Sequence, residues 1–277
     1  MTKEPYTEVE VEKDVWLIGG FHGGGIGVNA VLLTSGKHAV LIDTLTRPVE
    51  TRRLSRRVRR GGAEPLAVVN THWHTDHTAG NCLYDCPIWG QRLGSRYLRH
   101  YWPKWMGGPK DKRSQGLRMK LPDHRFDYRA EIDFDGQVLQ LIRLPGHTSD
   151  SIGVYLPERR ILVAGDAVME LPFAWFGSVT EEIRSLQRIR RLRPRVILQG
   201  HGPPCSYRRV DVDIRYLQKI STAAKQSQAN GVPRREFVRR PKEDFLPPSR
   251  SRELGDSWNS LHAGNLWRVW IDQHKSV

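Results

Sequence analysis

With 277 residues, 38% hydrophobic side chains and 9 tryptophans, the chain can bury a substantial core, which excludes a disordered or fibrous class. No apolar run approaches the roughly 20 residues of a membrane-spanning helix, and Met1-Thr2-Lys3-Glu4-Pro5 leads into charge rather than a signal region; the expectation is a cytoplasmic protein with no membrane partner. The net charge of +14 invites a polyanion partner, yet much of it falls at helical spacing and reads as solvated helix surface.

Residues 7 to 43 alternate short apolar runs with turns. Val15-Trp16-Leu17-Ile18, Val28-Asn29-Ala30-Val31-Leu32-Leu33 and Ala39-Val40-Leu41-Ile42 predict strands of a hairpin sheet. Phe21-His22-Gly23-Gly24-Gly25 between them reads as a loop, either a substrate flap or a plain turn. Asp43-Thr44 closes the third strand. In the arginine-rich stretch that follows, Leu54 and Val58 lie four apart, so a helix over 48 to 60 buries them and turns the arginines outward. A strand over 65 to 70 leads to the sequence Thr71-His72-Trp73-His74-Thr75-Asp76-His77. Thr78 to Leu83 begins a short helix, and Pro87-Ile88-Trp89 reads as a strand.

Leu93, Tyr97, Leu98, Tyr101 and Trp102 predict a helix over 91 to 102. Pro103-Lys104-Trp105-Met106-Gly107-Gly108-Pro109 then breaks regularity, as a lid or as a loop whose tryptophans pack on the body. Further strands are expected around 132 to 134, 138 to 142, 152 to 155, 161 to 164 and 196 to 199, with a helix over 180 to 192 whose Ile183, Leu186 and Ile189 face inward. The order of strands, helix, strand and polar loop occurs twice, which suggests two similar halves packed sheet on sheet. The remainder reads as helices over 210 to 229, 234 to 238 and 257 to 272, with Pro247-Pro248-Ser249-Arg250-Ser251-Arg252 as a loop or linker. Trp258, Leu261, Leu266 and Trp270 form the apolar face of the last helix. Cys82, Cys86 and Cys205 are odd in number and lack a close pair, so small buried thiols are expected rather than disulfides.

The stretch from His72 to His77 crowds three imidazoles and a carboxylate into six positions, the donor types that hold a transition metal. In an extended chain His72 and His74 share a face, which leaves Trp73 pointing the other way into the core. A turn then aims Asp76 and His77 at a second position, so two metals are implied. Further donors stand at strand ends beside glycine: His147 in Pro145-Gly146-His147, Asp166 in Gly165-Asp166 and His201 in Gly200-His201-Gly202. Glycine there lets the backbone bend closely round an ion.

In motif order, from His72 to His77 and then His147, Asp166 and His201, the chain resembles the metallo-β-lactamase superfamily over roughly residues 12 to 205. The resemblance implies an α/β fold, a four-layer αββα sandwich, over residues 1–205, with a helical C-terminal extension at 206–277 packed on the same domain. It implies that His72, His74 and His147 hold one metal, that Asp76, His77 and His201 hold a second, and that Asp166 bridges them. Asp43 looks like a residue that orients the cluster. Two zinc ions per chain are expected, with iron or manganese as substitutes, acting in a hydrolase that attacks an ester, thioester, lactone or lactam carbonyl with a metal-bridging hydroxide. Asp76 and Asp166 are the expected catalytic residues, Asp76 orienting the nucleophile or accepting its proton. Histidine at 74, where flavodiiron-type members carry glutamate, disfavours redox di-iron chemistry. A carboxylate at 166, where subclasses of true β-lactamases carry cysteine or serine, is similar instead to glyoxalase II, RNase Z and the acyl-homoserine lactonases. The expected partner is a small-molecule substrate, with a homo-oligomer open; the alternatives are a nucleic-acid phosphodiesterase, the less favoured reading of the basic charge, and an iron-dependent persulfide dioxygenase. Met169 to Phe176 should overhang the metals or, equally, pack in the core under a loop, and His262 to Val269 should pack near the site.

Overall fold

The computed structural model describes residues 6–23, 26–107 and 116–274. Seven strands form the first sheet in chain order: β1 (Thr7–Glu12), β2 (Val15–Gly23), β3 (Ile26–Ser35), β4 (His38–Ile42), β5 (Glu64–Val69), β6 (Ile88–Gln91) and β7 (His124–Phe126). The first four run as an antiparallel meander, and β4 to β7 pair in parallel. The second sheet contains β8 (Arg129–Phe134), β9 (Gln137–Arg143), β10 (Ile152–Leu156), β11 (Ile161–Gly165) and β12 (Val196–Gln199), with β12 at one edge and β8 at the other. Its pairs are antiparallel except β11 with β12. The helices are α1 (Pro48–Arg60), α2 (Thr75–Thr78), α3 (Arg92–Trp105), α4 (Val179–Leu192), α5 (Arg208–Ala229), α6 (Arg234–Phe237), α7 (Pro248–Leu254) and α8 (Asn259–His274).

Period-2 alternation builds the layers. On β4, Val40 and Ile42 turn into the space between the sheets, where they meet Leu139, Leu141, Val154 and Val163 of the second sheet. Ala39 and Leu41 turn the other way, onto Leu54 and Val58 of α1. The second sheet repeats the arrangement: Leu162, Ala164 and Ile197 face outward against Leu186 and Ile189 of α4, Ile214 and Leu217 of α5, and Leu266 of α8. This is the αββα sandwich, and the repeated half is visible in the connections, since α1 joins parallel β4 and β5 as α4 joins parallel β11 and β12. Such crossovers end their strands on the same edge, where the polar loops collect.

Three local expectations are corrected. Pro248 does not mark a loop: it occupies the first position of α7, where its missing N–H costs nothing and its fixed φ suits a helix. Helix α3 runs through Pro103 to Trp105, because the proline sits in the last turn and removes a single hydrogen bond; Met106 N–H still reaches Trp102 O, and Gly107 turns off at φ +66°. Phe21 to Gly23 belong to β2 rather than a loop, while Gly24 and Gly25, like Gly108 and Pro109, lie outside the described residues. Cys82, Cys86 and Cys205 are all free and partly buried. No helix among the described residues is long and apolar enough to cross a membrane.

Candidate metal centre

Strand β5 ends at Val69, and a bent segment at 71–73, rather than the expected extended chain, carries His72 and His74 before the single turn of α2 swings Asp76 and His77 round to a neighbouring position. His147 follows β9, Asp166 follows β11 and His201 follows β12. All seven expected donors arrive together. The ligating atoms of His72, His74, His147 and Asp166 lie within 4.8 Å of one another, as do those of Asp76, His77 and His201. Each of the seven is buried, from 0% exposed for His77 to 7% for His74.

Asp166 joins the two sets. Its Oδ2 lies 3.4 Å from His147 Nε2, 3.7 Å from His72 Nε2 and 3.2 Å from His201 Nε2, and its Oδ1 lies 3.3 Å from His77 Nε2. Asp76 Oδ2 stands 3.5 Å from His77 Nε2 and 3.4 Å from His201 Nε2. Two glycines allow this convergence. Gly165 adopts φ +51°, and a Cβ there would fall 2.5 Å from Thr71 Oγ1; at Gly200 a Cβ would overlap Asp166 Oδ1.

Oxygen acceptors behind the imidazoles set which nitrogen faces inward. His77 Nδ1 donates to Asp43 Oδ2 at 2.8 Å, His147 Nδ1 to Phe173 O at 2.5 Å and His201 Nδ1 to Gly27 O at 2.5 Å. His72 Nδ1 donates to Thr71 Oγ1 at 3.1 Å, and that hydroxyl passes its own proton to Asp43 Oδ2 at 2.7 Å. Asp43 also accepts from Thr71 N–H at 2.8 Å and sits at φ +62°, a conformation that aims its carboxylate back under the loop. One carboxylate thus orients two of the histidines, as expected for Asp43.

The donor set fits a metal on its own chemistry. Nε2 of His72, His74 and His77 and Oδ1 of Asp166 are buried without a hydrogen-bond partner, a costly state for polar atoms that an ion would relieve. His74 Nδ1 and His147 Nε2 approach to 3.0 Å. With its proton on Nδ1, His74 donates to His147 Nε2 and keeps its own Nε2 as the bare acceptor. Burial pushes the His72, His74 and His147 imidazoles down, toward the neutral form that ligates. Burial would also lower His77 and His201, but Asp166 and Asp76, joined at His77 by Asp43, outweigh it and hold His77 well above its usual value and His201 up at about 10. Burial raises Asp166, and His201, His77, His72 and His147 more than reverse this, keeping its carboxyl ionised.

A cavity of about 550 Å³ opens over the donors, lined by His74, Asp76, His147, Asp166 and His201 on its floor. Met169, Phe173 and Phe176 overhang it as expected, and Trp105 and Lys104 of α3 with Leu261 of α8 complete the walls. Trp73 is core: it is 2% exposed and stacks on Tyr101 at 4.5 Å. Tyr155 is likewise buried among apolar side chains and contributes nothing to the cavity.

Several supporting residues were not singled out one by one, although Asn265 falls in the stretch His262 to Val269 expected near the site, and it does pack there. Asn29 donates to Gln199 O at 2.9 Å and Gly202 O at 2.7 Å, bracketing His201. Asn265 of α8 donates to Pro172 O at 2.5 Å and accepts from Ala174 N–H at 3.1 Å, which fixes the Phe173 carbonyl that holds His147. Arg209 and Arg250 both grip Glu170 on the same segment. Motif reading finds ligands by type and spacing; single asparagines far along the chain offer neither.

Comparison with known proteins agrees with this geometry. A family model described as the metallo-beta-lactamase superfamily matches residues 23–201. A beta-lactamase-like protein 2 homolog of Caenorhabditis elegans is 32% identical over 180 residues, covering 64% of this chain and 56% of that protein. A hydroxyacylglutathione hydrolase of Synechococcus sp. is 28% identical over 135 residues, 47% of this chain and 46% of that one. The chain therefore spans about half the length of these curated relatives. Among solved structures, a metallo-beta-lactamase family protein from Thermus thermophilus shares the fold with a TM-score of 0.68 at 18% identity, over 96% of this chain and 95% of that one. Through its sandwich, its strand-end donors and the match over residues 23–201, the chain belongs to the metallo-beta-lactamase superfamily.

Proposed function

We propose that the chain is a hydrolase of small molecules that cleaves an ester, thioester, lactone or lactam carbonyl at a dinuclear zinc site. His72, His74 and His147 would hold one ion, Asp76, His77 and His201 the other, with Asp166 between them. When bound, two such ions lower the pKa of a shared water toward about 7 and polarise the oxygen of the group it attacks. The observation that carries this reading is the placement of Asp166, with oxygens 3.2 to 3.7 Å from four imidazole nitrogens drawn from both sets, at the floor of a cavity.

The chain's own groups supply the rest. Asp76 lines the cavity beside His201, where its carboxylate can orient a nucleophile or accept its proton. Phe173, Phe176 and Trp105 exclude water above the donors and strengthen the electrostatics below. Asp43, Gly27 O and Phe173 O keep the Nδ1 protons of His77, His201 and His147 in place, so their Nε2 atoms stay available. The basic helix surfaces that would draw a polyanion are in part paired, as Arg57 with Glu8 and Arg190 with Asp211. The hydroxyacylglutathione hydrolase among the relatives, by its name a hydrolase of an acyl conjugate, supports the same class. The reading takes residues 1–205 as the hydrolase domain and 206–277 as an extension of it, supported by the core that α5 and α8 share with the second sheet.

Elemental analysis of the purified chain, followed by thioester, lactone, β-lactam and phosphodiester substrates, tests the proposal. Two zinc ions per chain with turnover of a carbonyl substrate is the expected result. Iron with dioxygen consumption, or turnover confined to phosphodiesters, would replace it.

A further inference from the structure

The cavity over the donors adjoins a second space at Leu261. Phe173, Phe176 and Leu261 line the cavity and also line this second space, a trough of about 640 Å³, completed by Trp175, Gly264 and Trp267. None of the described residues lining the trough is charged. Trp175 and Trp267 stack at 4.6 Å with their planes 26° apart, and Trp175 still leaves 37% of its surface exposed. Two large rings stacked at an open surface form a face that an apolar ligand would cover. Leu261, Gly264 and Trp267 recur every third residue, on one side of α8. At Gly264 a Cβ would fall 2.9 Å from Phe173 Cε2 and 3.1 Å from Trp175 Cε3, so hydrogen in place of a side chain lets both rings lie against the helix.

We propose that this trough binds an apolar arm of the substrate, an alkyl or aryl chain attached to the scissile ester or thioester. The position of the scissile bond rests on the hydrolase reading above. The three shared wall residues are what select this occupant: a chain lying in the trough ends against the rings that also bound the cavity holding the unpartnered His74 Nε2 and Asp166 Oδ1. Both spaces fall within the size range of small-molecule sites, roughly 300 to 1,000 Å³. Cleavage adds one water across the acyl C–O or C–S bond, the carbonyl carbon taking hydroxyl and the leaving oxygen or sulfur taking the proton. The apolar arm undergoes no chemistry and contributes binding alone.

The test uses the full zinc-loaded chain and two ester series, one lengthened from acetyl to dodecanoyl on a fixed alcohol, the other lengthened on the alcohol side of a fixed acetyl group. In one series kcat/KM should climb by up to roughly fourfold per methylene over the first several carbons, and the series that climbs identifies which side of the bond enters the trough. Within a single preparation, Trp267→Ala should lower the ratio of long-chain to short-chain kcat/KM at least tenfold. Calorimetric binding of decanoate should weaken by a similar factor in the same variant. Short esters cleaved with no chain-length dependence in either series would overturn the trough and leave the hydrolase reading intact. Tight, Trp267-dependent decanoate binding with no ester, thioester, lactone or lactam cleaved would instead support the trough and overturn the hydrolase reading. A concentration-dependent dimer that Trp267→Ala converts to monomer would give the trough to a second copy of the chain and overturn the proposal.

Discussion

Asp43→Asn isolates the electrostatic link between the loop and the metal donors while preserving shape. Asparagine tolerates the left-handed backbone at this position, φ +62°, so strain is not introduced. The carboxylate accepts three hydrogen bonds, from Thr71 N–H at 2.8 Å on Oδ1 and from Thr71 Oγ1 at 2.7 Å and His77 Nδ1 at 2.8 Å on Oδ2. If the amide oxygen keeps Thr71 N–H, the NH2 group faces two donors. His77 must then move its proton to Nε2, the atom that faces Asp166 and Asp76, and Thr71 can no longer accept from His72 while donating to position 43. Each lost charge-assisted hydrogen bond is worth about 1.5–3 kcal/mol. One such loss per histidine corresponds to roughly 10–100-fold in affinity for each ion, the scale typical of groups that orient metal ligands. Competition against a chromophoric chelator measures both affinities directly. Two affinities within twofold of the parent protein would refute the claim that Asp43 sets the imidazole tautomers.

Asp166→Ala should reduce metal content from two ions to one or fewer and remove most turnover with the fold intact by circular dichroism; unchanged metal and rate would end the bridging assignment. Gly200→Ala drives a methyl into Asp166 Oδ1 and should displace the carboxylate, so metal loss is expected without global unfolding. Asn265→Leu leaves the buried Pro172 carbonyl and Ala174 N–H unpaired. The cost is about 1–3 kcal/mol per group, and denaturant midpoints together with zinc affinity should both fall. At Asp150, burial pushes the carboxyl up to about 7 although the Thr148 hydroxyl bond opposes it. The native state therefore binds this proton more readily than the unfolded chain, whose carboxyl titrates near about 3.9. Its contribution to stability is complete below that value and declines as pH rises through about 7. Denaturant unfolding at pH 5 and pH 8 should show a larger loss in the parent protein than in Asp150→Asn, and equal losses would contradict the assignment.

The clustered histidines and aspartates were legible because each announces itself locally. Histidine and aspartate stand at the ends of apolar runs, beside glycine at His147, Asp166 and His201, and crowded within six positions from His72 to His77. The sandwich was legible for a related reason: alternating residues such as Ala39 to Ile42 must serve two faces, and Leu54 with Val58 marks a helix that covers one of them. Local rules misled where a breaker stood at a tolerated position, as Pro248 at the start of α7 and Pro103 in the last turn of α3.

What the amino-acid order carries alone is thus the inventory of donors and the layers that hold them, since both follow from chemistry within a few residues. The tautomers, the trough beside the cavity and its apolar walls belong to the folded chain. Asn29 meets the carbonyl of Gln199 across 170 positions, Asn265 fixes the carbonyl partner of His147 from α8, and Trp175 finds Trp267 only once that helix has docked. Such contacts have no period or spacing to betray them, because packing between distant elements, rather than local conformation, brings them together.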